Sequence, residues 1–352
     1  MPDQRSKKSL IVPVFIPNQG CPDRCVYCDQ EKVTSQTAGS IQAAAVTGVL
    51  EQAVRSPRFN PGGQAEVAFY GGTFTRLPKA KMQELLEAVA PYMKQGMFHS
   101  IRLSTRPDAL DRQTLLFLKS FNVKTVELGA QSLDDEVLNL SRRGHSALHT
   151  IESVHLLREH GFRVGLQLMP GLPGDSAEKF LAALDPVVDL HPDMVRLYPT
   201  VVIEGTELAQ WYRKRLYEPW ELGEALEVCR ESVLRLESKG IPVIRIGLMS
   251  SPSLRKAGQV LAGPWHEAFG HMVRSEVYQR RIEPFLPGRG EAKSIRISVH
   301  PNEVPLMRGY KNSGIRAVEM KTGARVHSVI PDISLSSGQI RVEKSWNSDQ
   351  VS

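Results

Sequence analysis

Short β-rich runs alternate with helix-like segments over the first 250 residues, and no other feature narrows the fold so much. The runs SLIVPVFI (9–16), AEVAFYGG (65–72), HSIRLST (99–105), KTVELGAQ (124–131), FRVGLQLMP (162–170), MVRLYP (194–199) and IPVIRIGLM (241–249) predict strands. Between them, PKAKMQELLEAVAPYMKQ (78–95) and SALHTIESVHLLREHG (146–161) predict helices. In the second of these, Leu148, Ile151, Val154 and Leu157 fall within one half of a helical wheel, and Gly161 marks the stop. Parallel neighbours need a long crossover, which a helix supplies, so repeated strand–helix units predict a parallel sheet. Special residues gather where these strands end: GGTF, STRPD, GAQS, MPGLPG and YPT. In a parallel α/β barrel that rim is where sites are built. The expected fold class is therefore α/β, a partial (β/α)6 TIM-type barrel of six or so units.

The chain has 352 residues, enough for one large α/β domain plus an appendage. Its rhythm changes near residue 250. GPWHEAFGHMVRSEVYQRRIEPFL (263–286) predicts a helical segment with Trp265, Phe269, Met272 and Val273 on one face. Residues 292–344 predict a small α+β or mostly β unit, and 345–352 a loose tail. The expected domains are 1–250, the barrel, and 251–352, a helical and α+β extension.

The formal charge of +6 is unevenly spread, with the positive excess in the last two-fifths of the chain. Arg213, Lys214 and Arg215 form one cluster, in WYRKRLY (211–217). Such an excess reads either as a solvated basic surface or as a patch for a polyanion such as RNA. WYRKRLYEPW (211–220) interleaves aromatics with cations as single-strand binders do, although helices of ordinary proteins do so too. No window approaches 18 apolar residues, so no membrane-spanning helix is expected. The basic start KKSLIVPVFIP is broken by Pro13 and lacks a cleavage site, so no targeting segment is expected. The reading is a cytoplasmic protein with reduced thiols.

Three of the four cysteines, Cys21, Cys25 and Cys28, fall in FIPNQGCPDRCVYCDQ (15–30), directly after the first predicted strand. A disulfide is disfavoured by the odd count and by the compartment. A structural zinc site needs four ligands. Cys229 stands in the helix-like stretch EALEVCRESVL and reads as a small buried apolar residue. The remaining reading is an iron–sulfur cluster held by thiolates, in which three cysteines leave one iron open to a substrate or cofactor.

That stretch resembles the radical S-adenosylmethionine (radical SAM) superfamily, whose signature C-x3-C-x-aromatic-C lies on the loop after the first barrel strand. Cys21, Cys25, Tyr27 and Cys28 match it throughout. The resemblance implies a 4Fe–4S cluster on the three cysteines, S-adenosylmethionine chelated at the open iron, and a reducing electron donor. It also implies reductive cleavage to methionine and a 5′-deoxyadenosyl radical, which abstracts hydrogen from substrate. Gly71, Gly72 and Thr73 of YGGTF would contact the methionine amino group. Ser104 of STRPD stands where many relatives carry an acidic residue, and is a candidate ribose or methionine contact. Arg106 would face an anion or pair with Asp108 on the surface.

VELGAQSLDDEVLNLSRRGH (126–145) resembles a segment shared by oxygen-independent coproporphyrinogen III dehydrogenases and by the catalytic subunit of the Elongator tRNA-modifying complex. Its RGH ending and the TRPD motif favour the Elongator-like branch. By that resemblance Gln131 would hydrogen-bond the cofactor, and Arg143 would pair with its carboxylate through a guanidinium fork. His145 reads as structural or as acting near substrate. Met169 and Gly171 of LQLMPGLPGDS would lie beside the adenine, with Asp175 or Ser176 capping a helix. Thr200 and Val201 of YPTVVIEGTEL would complete that pocket through backbone. No acetyltransferase unit is expected after residue 250, and the Elongator cysteine motif is more widely spaced. The implied function therefore stops at hydrogen abstraction from an unidentified substrate, with RNA (tRNA) as one candidate. The alternative is a non-catalytic zinc- or cluster-binding protein that interacts with nucleic acid. Oligomeric state is left open.

Overall fold

The computed structural model describes residues 10–22, 24–37, 39, 41–57, 59–60 and 63–346. Ser9 of the first expected strand, the basic residues before it, and the expected tail from 347 onward lie outside the described residues. All seven expected strands form: β1 (Ile11–Phe15), β2 (Glu66–Tyr70), β3 (Ser100–Thr105), β4 (Val123–Gln131), β5 (Arg163–Leu168), β6 (Met194–Leu197) and β7 (Val243–Ile246). They make one parallel sheet whose spatial order follows the chain, curled as a half-barrel.

Register and side-chain alternation explain why these runs form one sheet. On one face Val67, Phe69, Ile101, Leu103, Val126, Leu128, Val164, Leu166, Val195 and Leu197 line up strand to strand, and all are buried. Each such side chain contributes about 1.5–3 kcal/mol when taken fully out of water. The other face carries Glu66, Tyr70, Arg102, Ser104, Glu127, Gln167 and Arg196, one residue out of phase. Helix starts are set by caps: Asp111, Asp134 and Ser176 each accept a backbone N–H from the first turn of the helix that follows.

The helix expected at 146–161 runs Ala147–Glu159, but its buried face is rotated from the predicted one. Val154 and Leu157 are buried as expected, whereas Leu148 is 58% exposed and Thr150 and Ser153 are buried instead. Ser153 donates to the Pro107 carbonyl at 2.6 Å, so a polar residue satisfies the buried face there.

The chain divides into two compact units, Met1–Glu221 with Lys239–Trp265, and Leu222–Ser238 with His266–Ser352. In the second unit β8 (Ser294–Val299) pairs in parallel with β9 (Arg325–Pro331) and antiparallel with β10 (Ile340–Ser345). Ile295, Ile297 and Val299 pack with Ile282, Met307 and Val318. Of the two readings for residues 292–344, α+β is the one found, because GIRAVEMKT lies in the helix Ser313–Thr322, with Gly323 at its C-cap. The helical segment expected from residue 263 starts at Phe269, after Ala268 at the N-cap. Phe269 and Val273 are buried on it, while Trp265 precedes it and packs with Val201, Ile203 and Leu254. No helix among the described residues is long and apolar enough to cross a membrane.

Candidate active site

The loop after β1 is pinned against the turn after β2, and two glycines make the approach feasible. A Cβ on Gly72 would meet the Gln19 carbonyl at 2.2 Å, and one on Gly20 would meet the Thr73 carbonyl at 2.2 Å. Both glycines also have positive φ, which L side chains rarely adopt. Gln30 Oε1 accepts from Asn18 N at 2.6 Å and from Gly72 N at 2.7 Å, and Thr73 N donates to Gln19 O at 2.7 Å. With those N–H groups engaged, the Gly71 and Gly72 carbonyls accept no hydrogen bond among the described residues. They are the groups that could accept from an ammonium.

All three loop cysteines are free thiols. Cys21 Sγ lies 3.4 Å from Thr73 Oγ1. Burial, with Cys25 and Cys21 nearby, pushes the Cys28 thiol up to about 12. Cys25 is buried with Val26, Tyr27, Met169 and Leu172 in one apolar cluster. Arg143 enters this cluster's edge: Nη1 donates to Cys25 Sγ at 3.0 Å and Nη2 to the Gly129 carbonyl at 2.6 Å. Burial alone would lower its pKa, but Tyr27 and Cys25 beside it hold the guanidinium above its ordinary value.

Gln131 ends β4 with a left-handed φ of 71°, just past a bulge in the β4–β5 register. Its carbonyl accepts from Met169 N at 2.8 Å, and its side-chain oxygen accepts from Gln167 Nε2 at 3.0 Å. Gly171 N donates to Asp175 Oδ2 at 2.9 Å, and Gly171 O accepts from the Tyr217 hydroxyl at 2.5 Å. Asp175 therefore braces this turn, and Ser176 is the helix cap. Burial raises the Asp175 carboxyl to about 7. Thr200 N donates to Pro170 O at 2.9 Å, and its buried hydroxyl has no partner among the described residues. Val201 is buried in a neighbouring apolar cluster. Ser104 is half-buried on the polar face of the sheet, in register with Glu127.

A family model described as the radical SAM superfamily matches residues 15–187, and one described as the radical SAM C-terminal domain matches residues 192–279. The chain belongs to the radical SAM superfamily. Among curated proteins this radical SAM chain is similar to a tRNA uridine(34) acetyltransferase of Dehalococcoides mccartyi, with 32% identity over 234 residues, 58% of this chain and 51% of that protein. It is similar to Elongator complex protein 3 of Homo sapiens, with 26% identity over 185 residues, 47% of this chain and 34% of that protein. The chain thus spans about half the length, or less, of these curated relatives. Both similarities fall on the Elongator-like branch. Among solved structures, the archaeal Elp3 of Methanocaldococcus infernus matches with a TM-score of 0.59 at 24% identity, covering 77% of this chain and 63% of that one. The same fold recurs in methylornithine synthase, with a TM-score of 0.51 at 16% identity, covering 71% of this chain and 75% of that one.

The residues fit the groups that radical SAM membership implies. Three free thiols sit on one loop, and the Gly71–Gly72 turn is a cradle that any side chain would fill. Arg143 Nε and the Thr200 hydroxyl are buried polar atoms without partners in this region. Among the described residues no three His, Cys, Asp or Glu side chains close round a single metal ion. Cys229 is fully buried in the helix Leu222–Ser238, as expected of a small apolar residue.

Two features departed from the sequence reading or escaped it. Arg106 does pair with Asp108, at 2.8 Å, but it is buried rather than on the surface, and Arg76 shares the same carboxylate. The polar face of the sheet holds an ionic network that the motif reading passed over. Glu66 pairs with Arg102, Arg102 with Glu127 at 3.1 Å, and Glu127 with Arg196 at 2.7 Å. The Tyr70 hydroxyl donates to Glu127 Oε1 at 2.9 Å, and the Arg196 guanidinium lies over its ring. The signal was present: EVAFY, SIRLST, TVELG and MVRLY each place one charge at an alternate position of an apolar strand.

Proposed function

We propose that this radical SAM enzyme holds a 4Fe–4S cluster on Cys21, Cys25 and Cys28 and uses S-adenosylmethionine to start a radical reaction on RNA, with tRNA the leading candidate. When bound and reduced by an external donor, these groups supply one-electron cleavage of the sulfonium to methionine and a 5′-deoxyadenosyl radical. The observation that carries the reading is that Cys25, on the loop with two further free thiols, meets Arg143 and packs with Met169, whose N–H binds the Gln131 carbonyl, beyond the C-terminal ends of β1, β4 and β5. Gly71 and Gly72 would offer carbonyls to the methionine ammonium. Arg143 would take its carboxylate, and Gln131 and Ser104 its polar middle. Met169, Gly171, Thr200 and Val201 would flank the adenine, and Tyr27 would pack the cluster loop. The ionic network keeps the neighbouring sheet face polar at no net charge, with two carboxylates set against two guanidinium groups. Residues 1–250 are taken as the catalytic part and 251–352 as its extension. A reduced-thiol, oxygen-sensitive centre accords with a cytoplasmic setting.

The RNA reading rests on the name of the tRNA uridine(34) acetyltransferase relative and on the basic composition. Its test is incubation of the anaerobically reconstituted, reduced enzyme with S-adenosylmethionine and unmodified tRNA. RNA-dependent stimulation of 5′-deoxyadenosine release is expected. Release that no RNA stimulates would remove RNA as substrate while leaving the radical chemistry in place.

A further inference from the structure

The segment WYRKRLYEPW (211–220) has no part in the cofactor site, yet the structure fastens it there. Leu208 N donates to Val26 O, inside the cysteine loop, at 2.8 Å. Arg142 pairs with Glu207 at 2.7 Å. Trp211 and Tyr217 pack on the cluster of Cys25, Tyr27 and Met169, and the Tyr217 hydroxyl is bound to Gly171. Both ends of the segment are therefore anchored on site residues. Between the anchors the chain turns outward: Arg215 has a left-handed φ of 56°, and Leu216 N returns to Trp211 O at 2.9 Å. Tyr212, Lys214, Arg215 and Leu216 are all exposed.

Charge distinguishes this turn from an ordinary solvated loop. Arg213 pairs with Glu204, but Lys214 and Arg215 have no ion pair among the described residues. Arg24, exposed within the cysteine loop itself, has none either. Exposed cations on two joined segments, without an ion pair among the described residues, together with an exposed tyrosine match what a single strand needs: cations for phosphates and a ring for a base. An acidic peptide would use the cations but gain little from the ring.

We propose that Tyr212, Lys214 and Arg215, with Arg24, form the landing surface that holds a single-stranded stretch of RNA while its reacting nucleotide enters the site. The inference rests on the RNA reading above. It is tested by fluorescence anisotropy of the full chain with labelled tRNA and with a labelled duplex RNA, across a salt series. Wild type, the double variant K214E/R215E, Y212A and K124E are compared, Lys124 being exposed at the opposite end of β4. The double variant should bind tRNA about tenfold or more weakly, with a salt slope smaller by about 1.4, the contribution of two single-strand phosphates. Y212A should lose affinity for tRNA but not for the duplex, and K124E should match wild type. Wild-type binding by K214E/R215E would overturn the surface while leaving the RNA reading intact. So would polyglutamate competing with tRNA as an equal, which would mark a site for acidic protein. Failure of wild type to bind tRNA at low salt would overturn the RNA reading and this surface with it.

Discussion

Arg143 is a buried cation beside the Cys25 sulfur, an arrangement that is costly unless negative charge joins it. Metal binding would deprotonate the three thiols and provide that charge. Replacing Arg143 by Lys keeps the charge but loses the fork that spans Cys25 and Gly129. R143K should retain iron and weaken S-adenosylmethionine binding by about tenfold, roughly 1.4 kcal/mol, in a calorimetric titration. Loss of iron in that variant would make Arg143 a prop of the loop instead. Gly72→Ala should abolish soluble, iron-loaded protein, since its Cβ has a carbonyl at 2.2 Å on a left-handed backbone. A G72A variant that loads iron normally would show that the cradle is not needed. His145 makes its contact with the Ala130 carbonyl at 3.3 Å, and burial, then Arg143 and Arg106, depress its pKa to about 4. Its unfolded value is near 6.5. Between these values the unfolded chain binds more protons, so stability should fall as pH drops from about 6.5 to about 4. In H145Q, denaturant melts should show a shallower loss over that window.

At the scale of elements, the strands were legible because each is a short β-branched run bounded by turn residues. The cysteine loop was legible because its spacing is local. What escaped was anything set by neighbours across the sheet. Leu148 reads as a core residue from periodicity, yet the helix buries Ser153, which donates to the Pro107 carbonyl, and leaves Leu148 in water. Glu66, Arg102, Glu127 and Arg196 alternate with buried aliphatics, but only the register brings them into one network. The pairing of Arg143 with Cys25 joins residues 118 positions apart, which no local pattern reports. Because both partners are buried, R102M should cost about 3–5 kcal/mol by leaving Glu66 and Glu127 short of a counter-charge. Urea unfolding would read this as a lower midpoint at an unchanged slope. A cost below about 1 kcal/mol would mean that the network is solvated.

At the scale of the whole molecule, the proposed function requires the parallel half-barrel to present a thiol loop one ligand short of closing an iron–sulfur cluster, leaving a position for S-adenosylmethionine. Iron and acid-labile sulfide should therefore be counted on anaerobically reconstituted protein, wild type beside C21A, C25A, C28A and C229A, with 5′-deoxyadenosine assayed after reduction. The prediction is about four irons and four sulfides per chain with deoxyadenosine release in wild type and C229A, and neither in the three loop variants. A chain that binds one zinc and no sulfide, or that loses its iron equally in C229A, would contradict it.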